Sequence, residues 1–233
     1  MGLFNSGVEV RNALYLYLAA AFPVMMTVFH FRTLLKKRGD YRAIMLYFAA
    51  FFTAFMALPV LGVLVTAPSP ADFLRFVGLT PGHVGTGLLF AALGLPAALI
   101  VGFLGSRDPA MQAQYPFSKE ACAGPLKFIR YEIAYFALYY LPWEFVFRGL
   151  LFFPLIPLVG LVPALAVQTI ISTLYHFGHP PTEIFAAVGA GFIFGLIAYA
   201  TGSIFTSALI HAEVGVATDA FLYFRRLRPA ERV

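Results

Sequence analysis

Apolar residues run along this chain in long blocks, each closed by charge, glycine or proline. The blocks are Asn12–Phe31, Ala43–Thr66, Val84–Leu104, Phe128–Phe147, Val162–Phe177, Glu183–Ala200 and Ile204–Phe224. A helix needs about 20 mostly apolar residues to cross the hydrocarbon layer. The pattern therefore predicts an all-α, polytopic membrane helix bundle of seven transmembrane helices. A further stretch, Leu150–Val159 (LLFFPLIPLV), is apolar but short and carries Pro154 and Pro157. It is read as a re-entrant piece or a bend, with a full eighth span as the alternative.

The polar positions between blocks orient them. Arg32, Lys36, Lys37, Arg38 and Arg42 follow the first block. Arg107, Lys119 and Lys127 follow the third, and Arg225, Arg226, Arg228 and Arg232 follow the last. Only Arg75 lies in the loop after the second. With seven spans every basic loop falls on one side, which the positive-inside rule makes cytoplasmic. The expectation is a plasma-membrane (bacterial inner-membrane) protein with its N-terminus outside and its C-terminus inside. The first block ends against Arg32 and reads as a retained span rather than a cleaved signal.

Composition strengthens this picture. Hydrophobic residues make up 61% of the 233 and charged residues 12%, against roughly half and a quarter in soluble domains. Mean hydropathy is +0.82. Membrane lipid is thus the first partner. The net charge of +5 sits in short runs beside apolar blocks, which argues against nucleic acid as a partner. A single cysteine, Cys122, excludes an internal disulfide and a cysteine metal site. Gly191 and Gly195 form a G-x-x-x-G step suited to close helix packing.

Charge inside the blocks carries the chemistry. A charged side chain near the bilayer centre costs about 2.5–3.5 kcal/mol on insertion scales. The first three blocks hold almost none, apart from His30 near an end, whereas the last four, with the residues at their ends, hold Glu132, Glu144, Arg148, His176, His179, Glu183, His211, Glu213 and Asp219. The chain is read as one membrane domain, with 1–124 as scaffold and 125–224 as the site-bearing core. Glu144 and Arg148, four apart, share a helix face. They form either a structural ion pair or a base held ionised for catalysis. His176 and His179 stand on the last turn before Pro180-Pro181, which must end that helix, with Glu183 just beyond. His211 is mid-span, with Gly215 one turn on and Asp219 two turns on. Glu144, His176, His179 and His211 offer zinc ligand types, but H-E-x-x-H is absent and no metal or other cofactor is expected.

In this order and spacing, W-E-F-V-F-R-G, S-T-L-Y-H-F-G-H-P-P and H-A-E-V-G-V-A-T-D resemble the CPBP family of intramembrane proteases. That family is related to CAAX prenyl protease 2, the Ras-converting-enzyme type, and to bacteriocin-processing and self-immunity proteins. Its pattern is E-E-x-x-x-R, F-x-x-x-H and H-x-x-x-N or H-x-x-x-D on successive helices. The second glutamate corresponds to Glu144 and the arginine to Arg148, followed by Gly149. The middle histidine is His176 or His179. His176 is favoured, because it lies 35 residues before His211 and because H-F-G-x-P resembles one branch of the family. The resemblance covers about Pro125 to Phe224.

Two positions depart from the pattern. Trp143 stands where the family keeps its first glutamate, the base, and Gly215 stands where it keeps Asn or Asp. The resemblance implies a glutamic-type endopeptidase acting on a peptide or membrane-anchored protein, in which Glu and His activate water and the last histidine steadies the oxyanion. Carried over, Glu144 would be the base with His176, His211 would polarise the carbonyl, and Asp219 would replace the partner missing at Gly215. The alternatives are a non-catalytic member with an immunity, chaperone or scaffold role, and a small proton-coupled transporter, for which buried Glu and His are equally natural.

Overall fold

The computed structural model describes residues 2–30, 34 and 40–227, the side chains of 2–7 and 227 excepted. Most of the first basic loop, together with Arg228 and Arg232, lies outside the described residues. The described residues form no strand. The helices, in order, are α1 (Gly2–Thr27), α2 (Asp40–Thr66), α3 (Pro70–Phe76), α4 (Val84–Gly105), α5 (Pro109–Gln114), α6 (Pro125–Val159), α7 (Leu161–Leu174), α8 (Pro181–Thr201) and α9 (Phe205–Leu227). A short 3₁₀ turn, Lys119–Ala123, precedes α6.

Four of these, α2, α4, α6 and α8, are long and apolar enough to cross a membrane. Of the seven expected spans, these four qualify on length and composition among the described residues. α1 and α9 have the length, but Arg11 and Asn12 in one and His211, Glu213 and Asp219 in the other dilute their hydropathy. α7, at 14 residues, rises only about 21 Å, short of the roughly 30 Å of hydrocarbon.

α6 corrects the second expectation. Leu150–Val159 is not a separate helix; it is the end of one 35-residue helix. Three stretches are wound wider than an α-helix: Thr53–Ala57 in α2, and Phe136–Tyr140 and Phe145–Phe152 in α6. Each ends two positions before a proline: Pro59, Pro142 and Pro154. Proline has no N–H to donate, and its ring collides with the carbonyl four residues back. A wider turn moves that carbonyl away, so the helix passes the proline without breaking. Gly160, at φ 84°, then ends α6 in a conformation that glycine adopts freely.

α6 is the central helix: 67% of its apolar window is buried, against 17% for α4, whose Leu88, Leu89 and Leu93 face outward. An aromatic layer joins α6 to α2. Phe48 stacks on Tyr135 at 5.0 Å and Phe51 on Trp143 at 6.1 Å. Small residues let the remaining helices approach closely. Gly94 and Gly102 of α4 lie against Ile210 and Ala217 of α9. The G-x-x-x-G step of α8 lies against α7, where Gln168 Nε2 donates to the Gly191 carbonyl at 2.8 Å. A Cβ at Gly191 would lie 2.7 Å from Thr169 Cγ2. Gly191→Val is thus expected to lower the thermal unfolding midpoint of the detergent-solubilised protein, by the equivalent of about 1–3 kcal/mol of overpacking. Adding Thr169→Ala should recover part of the loss; an unchanged midpoint for Gly191→Val would remove this account of α7–α8 packing.

Two hydrogen-bonded turns close the bundle. α8 ends on Gly202 in the left-handed region, with the Ser203 N–H donating to the Ala198 carbonyl and the Gly202 N–H to that of Tyr199. That is a Schellman ending, and it reverses the chain into α9. Ile204 N–H then donates to the Gly78 carbonyl at 3.0 Å, tying this turn to the loop after α3. At the opposite end Arg225 donates to the Ser106 carbonyl, and the Glu120 N–H donates to Asp40. The basic residues that flank α4, α6 and α9 are gathered at this second end.

Candidate active site

Glu144 and Arg148 sit on one face of α6, and both are buried. Arg148 Nη1 lies 3.1 Å from Glu144 Oε1, with side chains 2% and 0% exposed. The spacing on the helix supplies this pair. The third member comes from α9: His211 Nδ1 lies 2.8 Å from the same Oε1. A guanidinium is charged under all ordinary conditions, so Glu144 beside it is a carboxylate that accepts the Nδ1 proton of His211. The imidazole is left to present Nε2. The carried-over role made Glu144 a base working with His176. The structure ties Glu144 to Arg148 and His211, and it lines neither of the two cavities beside them.

Two cavities meet beside this group. One is an apolar groove of about 400 Å³ between α4, α8 and α9, walled by small residues such as Ala97, Ala186, Gly189 and Ala190. The other is a polar pocket of about 20 Å³, a little more than the roughly 10–15 Å³ that one water needs. Five side chains border both: Tyr115, Tyr140, His176, Glu183 and His211.

Each of these five is fixed locally. α7 ends at Leu174, so His176 stands in the following turn rather than on the last helical turn. Its Nδ1 lies 2.7 Å from the Ser172 carbonyl, which can only accept, so Nδ1 carries the proton and Nε2 a lone pair. The Trp143 ring meets the His176 ring edge-on, at 4.8 Å. His179 borders the small pocket only; its Nδ1 donates to Glu183 Oε1 at 2.9 Å. Of these two histidines, His176 is therefore the one that reaches both cavities. Glu183 lies in the first turn of α8, where the helix dipole favours an anion, and accepts from the Tyr115 hydroxyl at 2.8 Å. Next to it Thr182 donates to Asp108 at 2.6 Å, while Asp108 caps α5 through the Ala110 N–H. These two donors hold the exposed Asp108 carboxyl below its usual range, and the contact pins the start of α8 to the loop after α4.

The two departures from the family pattern have structural replacements. Trp143, 2% exposed, fills its position with a ring packed among Phe51, Tyr139, Phe147 and Tyr175. At Gly215 a Cβ would overlap the Tyr140 hydroxyl. That hydroxyl occupies the space an Asn or Asp at 215 would take. Asp219, expected to fill this role, is fully buried and borders neither cavity. Tyr140 was legible in principle, since it stands four residues before Glu144 on one helix; Tyr115, in a loop, carries no sequence signal.

No three His, Cys, Asp or Glu side chains among the described residues converge closely enough to hold a metal ion. The residues a metal would need are divided: Glu144 binds His211, His179 binds Glu183, and His176 is fixed by a backbone carbonyl.

Residues 126–216 match a family model described as type II CAAX prenyl endopeptidase Rce1-like. The matched segment runs from the first turn of α6 to one residue past Gly215, and takes in the first two motif segments and His211–Gly215 of the third. No curated protein and no solved structure matches the chain.

Proposed function

We propose that this chain, whose residues 126–216 match the Rce1-like type II CAAX prenyl endopeptidase family model, hydrolyses a peptide bond of a membrane-bound polypeptide laid in the groove between α4, α8 and α9. One observation carries the reading: the same five side chains border an apolar groove and a pocket of one-water size. A substrate backbone in the first is brought beside a nucleophile held in the second. The basic end of the bundle faces the cytoplasm.

The roles follow from hydrogen-bond capacity. His176 Nε2 is an acceptor and orients the water. His211, in its imidazolium form, directs Nε2–H at the carbonyl oxygen, and Glu144 stabilises that form through Nδ1. The Tyr140 hydroxyl is the second donor to the developing oxyanion. Arg148 keeps Glu144 ionised. Glu144 is thus a positioning residue, and His176, His211 and Tyr140 act on the reacting atoms.

The test is cleavage of a membrane-tethered reporter peptide by the purified chain in proteoliposomes, with products identified by mass. His176→Ala and His211→Ala are each expected to lower turnover by about 10²–10⁴, and a chelator should leave the wild type unaffected. Activity within about threefold of wild type in both variants, a small fraction of that expected loss, would remove the hydrolase reading. A second, non-catalytic reading is favoured by Trp143, which takes the family's base position. It expects no turnover from a folded wild-type chain.

A further inference from the structure

Hydrolysis needs an acceptor for the proton of the attacking water. The position where the resembled family keeps it is Trp143, and Glu144, whose Oε1 holds Arg148 and His211, lines neither cavity. Three side chains bordering both cavities could accept: His176, His211 and Glu183. His211 is needed as a donor, and His176 supplies one lone pair. A water has two hydrogens and needs two acceptors to fix its lone pair on a carbonyl carbon.

We infer that Glu183 is the general base of this protein, a carboxylate brought from the first turn of α8 to replace the one absent from α6. The inference rests on the hydrolase reading above and names a residue that reading lacks. A carboxylate offers about four lone-pair sites. Tyr115 and His179 occupy some of them and hold the group rigid, while the residue still borders the water-sized pocket.

The step balances. The water oxygen bonds to the carbonyl carbon as Glu183 takes one water proton. The carbonyl π electrons move onto oxygen, facing His211 and Tyr140. Collapse breaks the C–N bond, and Glu183 returns its proton to the departing nitrogen. The products are an acid and an amine.

The experiment uses the full chain in proteoliposomes with the tethered reporter, measuring kcat and KM separately. Glu183→Gln keeps the size of the side chain; kcat is expected to fall at least about 100-fold with KM unchanged within about threefold. Formate should restore part of the rate of Glu183→Ala in a concentration-dependent way. If Glu183→Gln turns over within about threefold of wild type, far from the loss a general base should cause, while His176→Ala is inactive, Glu183 is not the base and the hydrolase reading stands. No cleavage by folded wild type overturns the reading itself. Where Glu183→Gln does not fold, Tyr115→Phe decides: it removes one hydrogen bond to the carboxylate, and an unchanged kcat overturns the assignment whereas a fall of about tenfold, one hydrogen bond to a charged group, supports it.

Discussion

Removing either partner of the Glu144–Arg148 pair alone is expected to destabilise the protein by about 3–5 kcal/mol, because the other charge is left buried without compensation. Both side chains are essentially inaccessible, at 0% and 2% exposure, so water cannot relieve the loss. Replacing both together, Glu144→Leu with Arg148→Met, should return most of that stability, since apolar residues of similar volume often match a buried pair. Activity should not return. Without Glu144, His211 loses the acceptor at 2.8 Å that sets its tautomer and orientation, and turnover is expected to stay at least about 10²-fold down. Thermal unfolding and reporter cleavage measured on the same three variants separate the two effects. Recovery of both in the double variant would mean that the pair is structural and His211 needs no anchor.

This dissociation marks where sequence reasoning reached and where it stopped. The spacing of Glu144 and Arg148 is local, and helical periodicity alone brings them together. The membrane character was equally legible, because hydropathy is summed over a window and is insensitive to tertiary detail. The boundaries of α4 and α8 fall within one or two residues of the apolar blocks for the same reason. The span count was less legible. α6 runs through Pro142 and Pro154 because its turns widen ahead of them, a compensation that proline's usual helix-ending effect hides.

The site itself depends on contacts between residues far apart in the chain. Glu144 meets His211 across 67 positions, and Tyr115 meets Glu183 across 68. No periodicity encodes either. Motif transfer named the residues of the polar cluster but aligned their roles to a pattern that this chain alters at two positions. On the reading proposed above those roles are redistributed, to a carboxylate of α8 that borders the small pocket and to the phenol of Tyr140 on α6. Asp219 shares roughly a helix face with His211, yet sharing a face says nothing about which side of α9 is walled by another helix.

Position 215 offers the sharpest test of that redistribution. Gly215→Asn would restore the family's residue, yet it is expected to be destabilising, because even a methyl there overlaps the Tyr140 hydroxyl and overpacking of this kind costs about 1–3 kcal/mol or more. Tyr140→Phe should fold normally, since the ring keeps its packing on Tyr135 and His211 at 4.5 and 4.9 Å. Its kcat should nevertheless fall about 10²–10³-fold, the usual loss for one oxyanion donor. Tyr140→Leu empties the space beside 215, and combining it with Gly215→Asn places an amide donor there. The double variant is expected to fold and to exceed Tyr140→Leu in kcat by at least about tenfold, a part of what one such donor contributes. An unaltered kcat in Tyr140→Phe would reduce the hydroxyl to a space-filler and leave His211 as the sole donor. Partial rescue by asparagine, with the tyrosine gone, would show that two different residues on two different helices satisfy one requirement of the same transition state.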